Sequence, residues 1–514
     1  MASGYTLTGV DPNDPIPGII REILFAQGQG SGANTNRLVL LYGNKTSDGT
    51  EATNTIGDPI QSRDDVITRF GRRSEIRWLF ESYVQVDSDA MMYAIAVPEN
   101  GSGATASVDF TFTTTATARG NILIENMGRS VTVPVEIGDT VTTQAAACKA
   151  AINAWEESGM PFTADNSSGV LTVDTSQKGT RAGRVLDQLR IRYLSATGSS
   201  VAKGSITEGT GADDFTNAYA AAAAWGEFYY QVNPSYTTSS ASPSDSGVGE
   251  GAAYITTQAL PVNGKGQQMI FGLTGTNSQA VTVAISVNSV RCKFVWAEDN
   301  PFWPGMLAAQ FAAVMRSQEI AHPGAKLAGY TSTDSTPFYI PAPYSADSRP
   351  TTTEVRAALN NGITPITFDK FNRPIVVRHV TSRSLNASGA TDYRARPGHI
   401  PSCMDYAWAE LLTRVSNQMA NMPFVGPDPQ RGQKPLGGVM TPSIVGGIVG
   451  KVTTDLSGPW AGGSPVLDPS ALNDTLATIG VIPLNNGYSV KWNPISVRHM
   501  EKWQGRIEES SPAY

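Results

Sequence analysis

Charge is the first thing this chain is short of. Asp, Glu, Lys and Arg make up 16% of its 514 residues, against roughly 25% in an ordinary soluble domain. Gly, Ser, Thr, Asn and Ala take their place, giving a surface with few ions to desolvate when it meets another protein. The charge that remains is acidic, net −7 with a pI of about 5.3. No basic run is present, which argues against direct contact with nucleic acid. No run of about 18 apolar residues occurs, so no membrane span is expected. The opening Met1-Ala-Ser-Gly-Tyr-Thr-Leu-Thr8 lacks both the charged and the apolar region of a secretion signal.

Cysteine and histidine are scarce too. Cys148, Cys292 and Cys403 are far apart and odd in number, and read as small buried residues of a reducing compartment. His322, His379, His399 and His499 include no pair at metal-ligand spacing and none beside a cysteine. The Gly-x-Ser-x-Gly nucleophile elbow is missing. The acidic pairs Asp87-Ser88-Asp89 and Asp213-Asp214 read as solvated turns or helix caps. The sequence therefore assigns no catalytic residue, no cofactor and no metal.

What is present is a long chain of about three or four domains, organised around the stretch from Gln267 to Ser384. Its β-branched runs, Gln267 to Leu273, Ala280 to Val287, Cys292 to Ala297, Ile363 to Phe368 and Ile375 to Val380, read as strands. The alanine-rich helix Gly305 to Gln318 lies among them, with Leu307, Phe311, Val314 and Met315 on its apolar face. The reading is layered α/β structure.

Upstream, Asp11-Pro12-Asn13-Asp14-Pro15-Ile16-Pro17 excludes a helix or a central strand. Ile16, Ile19, Ile20, Ile23, Leu24 and Phe25 make this segment an extended arm that lies on something apolar. Gln27 to Gly32 is glycine-rich and reads as a surface turn, since a strand, Arg37 to Gly43, follows it where a phosphate loop would open a helix. Gly43-Asn44-Lys45-Thr46 misses the same pattern by one residue. Ser62 to Asp65 resembles a capping box. The helix after it carries Val66, Phe70, Ile76, Leu79, Phe80 and Tyr83, with Gly71 placed to split it. The strand Met91 to Val97 closes the unit.

From Asn100 to about Thr197 apolar residues alternate with polar ones, as in Val108, Phe110 and Phe112, in Ile122 and Ile124, and in Val131, Val133 and Val135. Leu171 and Val173, then Leu189, Ile191 and Tyr193, repeat the pattern. This is half-buried antiparallel sheet, interrupted by one helix capped by Thr143 with Ala147, Ala151, Ala154 and Trp155 on one face. Phe215 to Gln231 reads as a helix, Ser235 to Gly251 as an exposed loop and Ser402 to Asn421 as a helix. Pro423 to Pro435 reads as a proline-rich connection, Gly437 to Gly450 as an apolar glycine-rich stretch, and Asp468 to Ile479 as one more short helix. The tail alternates Val490 and Trp492, then Ile495 and Val497 in the opposite register, before Met500, Trp503 and Ile507. Lys491, Arg498, Lys502 and Arg506 are interleaved. Two tryptophans so placed need burial, either on their own domain or, the preferred reading, in a partner subunit by strand addition.

As an ordered series, roughly residues 10 to 420 resemble a contractile-tail sheath protein of Mu-like myophages. The series runs from Arg37 to Gly43 through Phe70-Gly-Arg-Arg-Ser-Glu-Ile-Arg-Trp-Leu-Phe80 to Met92-Tyr-Ala-Ile-Ala-Val97. Ala118 to Ile124, Val133 to Thr140, Ala150 to Asn153 and Pro161 to Ala164 follow. Pro301-Phe-Trp-Pro304, Asn361 to Asp369 and Arg378 to Arg383 complete it. Beyond Pro423 the chain departs from the pattern. The resemblance implies a multidomain α/β (α+β) fold: a central α/β core at 26–99 and 198–385, and a β-rich outer domain inserted at 100–197. An inner C-terminal domain at 386–487 and connecting arms at 1–25 and 488–514 complete the organisation.

The same resemblance implies a structural subunit of the virion, assembled in the host cytoplasm. Six copies form a ring around a tail tube, rings stack helically, and contraction drives the tube through the host envelope without nucleotide hydrolysis. The partners implied are neighbouring copies of itself, the tail tube protein, and the baseplate and tail terminator proteins, with no nucleic acid and no membrane. Arm contacts to neighbours are expected at Tyr5, Leu7, Ile16 and Ile19, and at Val490, Trp492, Ile495, Val497, Met500, Trp503 and Ile507. The alternative is another virion assembly protein, such as a capsid, tube or adhesin subunit.

Overall fold

The computed structural model describes residues 37–421 apart from short internal segments, residues 442–457, and, as backbone strands, 23–25, 28–30, 479–484 and 487–492. The chain opens on a hairpin of β1 (Ile23–Phe25) and β2 (Gly28–Gly30), so part of the glycine-rich segment expected as a turn is paired strand. Then come β3 (Val39–Asn44), α1 (Arg63–Phe70), α2 (Glu75–Val84) and β4 (Met92–Val97). Ser62 caps α1 by accepting the Asp65 N–H. Gly71, at φ 95°, ends α1 in a conformation that a Cβ would strain, and Ser74 caps α2.

The inserted domain follows. It contains β5 (Thr105–Thr113), β6 (Gly120–Asn126), β7 (Arg129–Val135), α3 (Val141–Ala154), β8 (Phe162–Ser167), β9 (Val170–Lys178), α4 (Arg184–Asp187), β10 (Arg190–Tyr193) and β11 (Ser200–Lys203). Two antiparallel sheets, ordered β11-β5-β9-β8 and β10-β6-β7, share one apolar core, and α3 packs against strands of both. Burial in β5 alternates residue by residue, placing Val108, Phe110 and Phe112 inside. Pairing of β11 with β5 carries this sheet past residue 197. Two expectations need correction. The cap of α3 is Thr140, which accepts the Thr143 N–H, and not Thr143 itself. Ala147, Ala151 and Trp155 of the expected face are partly buried against the domain core, but Ala154 is exposed and the deepest positions are Gln144, Ala145, Cys148 and Ile152, because Ile152 and Cys148 one turn apart bring more apolar area than the alanine row beside them.

The core resumes with α5 (Thr216–Trp225), β12 (Tyr230–Asn233), α6 (Ser246–Gln258), β13 (Gln268–Leu273), α7 (Asn277–Val287), β14 (Cys292–Trp296) and α8 (Pro304–Ala321). It ends with β15 (Tyr330–Thr331), α9 (Thr352–Asn360), β16 (Ile363–Phe368) and β17 (Pro374–Val376). The run Ala280 to Val287, expected as a strand, is α7. Thr276 and Gln279 form a complete capping box, and Asn288 closes the helix in the left-handed region. Ala280, Val283, Ala284 and Val287 then share one face at helical spacing. Helix α5 stops at Trp225, and Gln231 lies in β12, not in a helix. Helix α6 begins inside the segment expected as an exposed loop.

Eight strands form the central sheet in the order β15-β17-β16-β14-β13-β12-β3-β4, parallel from β16 to β4. Chain order reverses between β3 and β12, which is the doubly wound arrangement of flavodoxin-like sheets. Crossovers in opposite directions from that point place helices on opposite faces. Helices α1, α2 and α8 cover one face through Val66, Phe70, Leu79, Leu307 and Phe311. Helices α5, α6, α7 and α9 cover the other through Phe215, Val248, Val283 and Ala358. Neither sheet edge is left open for its full length. Ile60 and Asn54 N–H groups donate to the Met92 and Ala96 carbonyls of β4, both at 2.8 Å, and β15 is two residues long.

Last come α10 (His399–Asn421), α11 (Pro442–Ser457), and a separate hairpin of β18 (Ile479–Leu484) and β19 (Gly487–Trp492) beside α11. The glycine-rich apolar stretch from 437 thus contributes to a helix. Of the helix expected over 468–479, residues 468–478 lie outside the described residues and Ile479 opens β18. Tyr5, Leu7, Ile16, Ile19, Ile495, Val497, Met500, Trp503 and Ile507 also lie outside the described residues, whereas Val490 and Trp492 belong to β19. No helix among the described residues is long and apolar enough to cross a membrane.

Helix α8 approaches the sheet at Gly272, where a Cβ would sit 1.8 Å from the Pro304 carbonyl oxygen. That oxygen is backbone and cannot swing aside. Gly272→Ala is expected to destabilise the full chain by about 3 kcal/mol, read as a lowered urea midpoint.

Candidate functional site: ionic joints at the two ends of the sheet

In an open doubly wound sheet, ligands bind outside the carboxyl ends of the strands where the order reverses. Here that point lies between Asn44, the last residue of β3, and Asn233, the last of β12. The protein's own side chains fill both positions. Arg181, carried by the inserted domain just after β9, donates from Nη2 to Asn44 Oδ1 at 2.6 Å. Its Nη1 donates to both Glu75 carboxylate oxygens, at 2.9 and 3.1 Å, and its Nε and Nη2 donate to Asp213 Oδ2, at 3.0 and 2.7 Å. The guanidinium lies 5.3 Å from the Phe215 ring centroid. Asn233 Nδ2 donates to the Tyr219 hydroxyl at 2.5 Å and to the Gly247 carbonyl at 3.4 Å.

Glu75 is the first residue of α2, where a carboxylate gains from the helix dipole. It is fully buried and also accepts the Asn44 N–H at 3.0 Å. Burial pushes its pKa up, opposed by the charge of Arg181. A phosphate-binding fold presents bare N–H groups here, and this chain presents an acid already paired with an arginine. The near-miss phosphate motif is resolved in the same way. Lys45 Nζ is turned onto the Gly49 carbonyl at 3.0 Å, and Thr46 donates to Asp48.

Apolar packing continues this joint. Trp78 of α2 and Phe302, Trp303 and Met306 around the start of α8 belong to the same buried cluster as the inserted domain. Trp78 Nε1 donates to the Gly159 carbonyl at 2.9 Å, and the Arg77 and Arg129 guanidinium groups stand 5.0 and 4.5 Å from its ring centroid. Both arginines pair with Glu81, at 2.7 and 3.2 Å.

The opposite end of the sheet is closed by α10. Arg291, just before β14, forks onto Asp405 with contacts of 2.5 and 2.8 Å, and Tyr229 donates to the same carboxylate at 3.1 Å. Gln268 Nε2 reaches the Tyr229 hydroxyl and Ser402 Oγ at 2.8 and 2.9 Å. Beneath this pair, Cys403, Met404, Ala407 and Leu411 of α10 pack with Val449, Val452 and Leu456 of α11.

A third joint ties α8 to the start of the core. Arg37 bonds Glu319 at 2.9 Å and Tyr230 at 2.7 Å, and Arg316 bonds Asp87 at 2.7 Å. Burial works to lower the Arg37 pKa, but Tyr230, Tyr229 and Glu319 outweigh it and hold the group charged. Lys293, fully buried and second in β14, feels the charges of the Arg37–Glu319 and Arg291–Asp405 pairs, and its ammonium donates to the Gly398 carbonyl at 2.8 Å. Burial pushes its pKa down to about 7. His379, also buried, is held well below its usual value by burial, then by Lys293 and His399. The sequence placed Lys293 in a strand and left its charge unaccounted for. All three cysteines are buried free thiols, and burial raises Cys148 and Cys292 to about 12.

No family model matches this sequence and no curated protein matches it. Among solved structures, a sheath tail protein of Listeria innocua is 13% identical, with a TM-score of 0.45 over 91% of this chain and 94% of that one. The six-fold symmetrised cryo-EM structure of the anti-feeding prophage baseplate contains a chain 10% identical, with a TM-score of 0.44 over 99% of this chain and 100% of that one.

Arg181→Met leaves two carboxylates buried without their cation and is expected to cost about 3–5 kcal/mol, measured by urea denaturation of the full chain. Lys293 gives a pH test. Its folded pKa of about 7 lies below the ordinary 10.5, so between those values the unfolded chain holds the extra proton and stability rises with pH. Wild type is therefore expected to gain on Lys293→Met between pH 7 and 9, by at most about 1.4 kcal/mol per unit, read from paired denaturation curves.

Proposed function

We propose that this chain is a structural subunit of a contractile tail sheath, and that it works as a lattice body without catalysis. The observation that carries the proposal is the filling of the switch-point crevice by Arg181, Glu75 and Asp213. The place where this kind of sheet holds a ligand is used to fasten one module to another. The ordered residue series from Arg37 to Arg383 says which kind of lattice this is, and the low charge of the surface suits repeated protein contact.

In this reading the inserted domain projects from one end of the core and α10 and α11 from the other, so the strand axis runs between the outside of the sheath and the tube. The arms at 1–25 and 488–514 join neighbours in hexameric rings and stacked helices. They use Tyr5, Leu7, Ile16 and Ile19 at one end and Val490 to Ile507 at the other. Support comes from the sheet edges. The central sheet is partly covered at its β4 edge and ends in the short β15 at the other, while β18 and β19 pair only with each other among the described residues. That hairpin packs against α11, and strand addition to its edges is a mode by which a neighbour's arm can bind. Arms tethered to a rigid body then bind at high effective concentration. Contraction would draw on two alternative packings of rigid bodies, with tube, baseplate and terminator proteins as the other partners and the virion tail as the site of action.

Negative-stain microscopy of the purified full chain is expected to show helical tubes, and persistent monomers with hydrolytic activity on polysaccharide would sink the proposal. Deletion of residues 1–18, or of everything after Tyr488, is expected to leave folded protein that no longer polymerises. Trp503→Ala is expected to weaken assembly more than it lowers the urea midpoint, because its burial is assigned to a neighbour.

A further inference from the structure

The turn between β16 and β17 holds a large apolar side chain out in solvent. Phe371 is 66% exposed, with Lys370 Nζ 4.9 Å and Arg373 Cζ 5.5 Å from its ring centroid. The turn that carries it is braced. The Asp369 carboxylate accepts the N–H groups of Phe371 and Arg373 and the Nε of Arg373, at 2.8, 2.9 and 2.8 Å. Backbone bonds of 3.1 Å join Asp369 to Arg373 and Asn372 to Asp369, and Arg349 donates to the Asn372 side chain. A side chain presented on a braced turn has less freedom to lose on binding. Arg373 is paired with Asp369 at 2.7 Å, which leaves Lys370 as the cation presented with the ring, and that combination calls for a receptor with an apolar wall and a carboxylate rim.

The opposite edge of the same sheet offers one. The loop that covers β4 and one side of α1 border an open depression of about 590 Å³ lined by Glu51, Asp58, Pro59, Asp65 and Arg69. Three carboxylates there face one guanidinium. Arg69 engages Glu51 at 2.8 Å and Asp65 at 3.5 Å, while the Asp58 side chain is exposed and has no ion pair among the described residues. Pro59 provides apolar wall. We propose that Phe371, with Lys370 and Arg373, docks into the Glu51–Asp58–Asp65 depression of a second copy of this chain. Knob and socket sit toward opposite edges of one sheet, so the contact is head-to-tail and propagates into a ring or a helix. The inference rests on the lattice reading and names a contact within it that neither arm makes.

The test uses the full chain. Phe371→Ala is expected to raise the concentration needed for assembly roughly tenfold. Lys370→Glu and Asp58→Lys are each expected to weaken assembly, and the double variant to restore it. Phe371→Cys combined with Asp58→Cys is expected to give a disulfide-linked ladder, since the native thiols are buried. Urea melts of each variant separate lost contact from lost folding. Tubes that form at the wild-type concentration in Phe371→Ala, with no ladder, overturn this contact and leave the sheath reading standing. A ladder without tubes supports the contact and overturns the sheath reading. A wild-type chain that stays monomeric and gives no ladder overturns both.

Discussion

A guanidinium taken out of water must keep its carboxylate, and much of this architecture hangs on that rule. Arg181 reaches Glu75 across 106 residues of chain, Arg291 reaches Asp405 across 114, and Arg37 reaches Glu319 across 282. Each pair bonds one module, or one end of the core, to another. Shearing the modules apart would strand a charge in a medium of low dielectric constant. Such pairs add little net stability compared with apolar packing. What they add is a single permitted arrangement of parts.

The apolar framework does the rest. Helix α8 is buried on nearly every side, by the sheet, by α2 and by the inserted domain around Trp303 and Met306. Its alanines bring backbone close to backbone, and Gly272 makes room for Pro304. A helix enclosed in this way transmits displacement from the inserted domain to the sheet with little give, because interiors of this density resist compression. The partly covered edge at β4 and the short edge strand β15 limit indiscriminate pairing of the sheet.

Much of the fold could be read from periodicity. Ile363 to Phe368 forms a strand over the expected residues, Gly71 splits α1 from α2, and Val108, Phe110 and Phe112 point inward from β5. The failures share a cause. Ala280 to Val287 is short and rich in small and β-branched residues, and Phe215 to Gln231 passes from an alanine run to an aromatic one at Gly226, so strand and helix compete closely, and caps and neighbours decide. The capping box at Thr276 and Gln279 was the local sign that α7 is a helix. For the ionic joints no local sign existed, since Arg181, Glu75 and Asp213 are distant in sequence and each alone reads as a surface charge.

The sequence by itself determined the class of the molecule. Low charge, absent metal spacing and alternating blocks of strand and helix pattern are local properties, readable wherever they occur. It also carried the ordered series of segments on which the sheath resemblance rests. Only the tertiary structure decided that the switch-point crevice is filled from within and that Lys293 stands in the middle of the sheet. It alone placed the knob at Phe371 and the acidic depression at Asp58 toward opposite edges of the sheet. These facts depend on which distant residues meet, and that follows from the packing of whole layers.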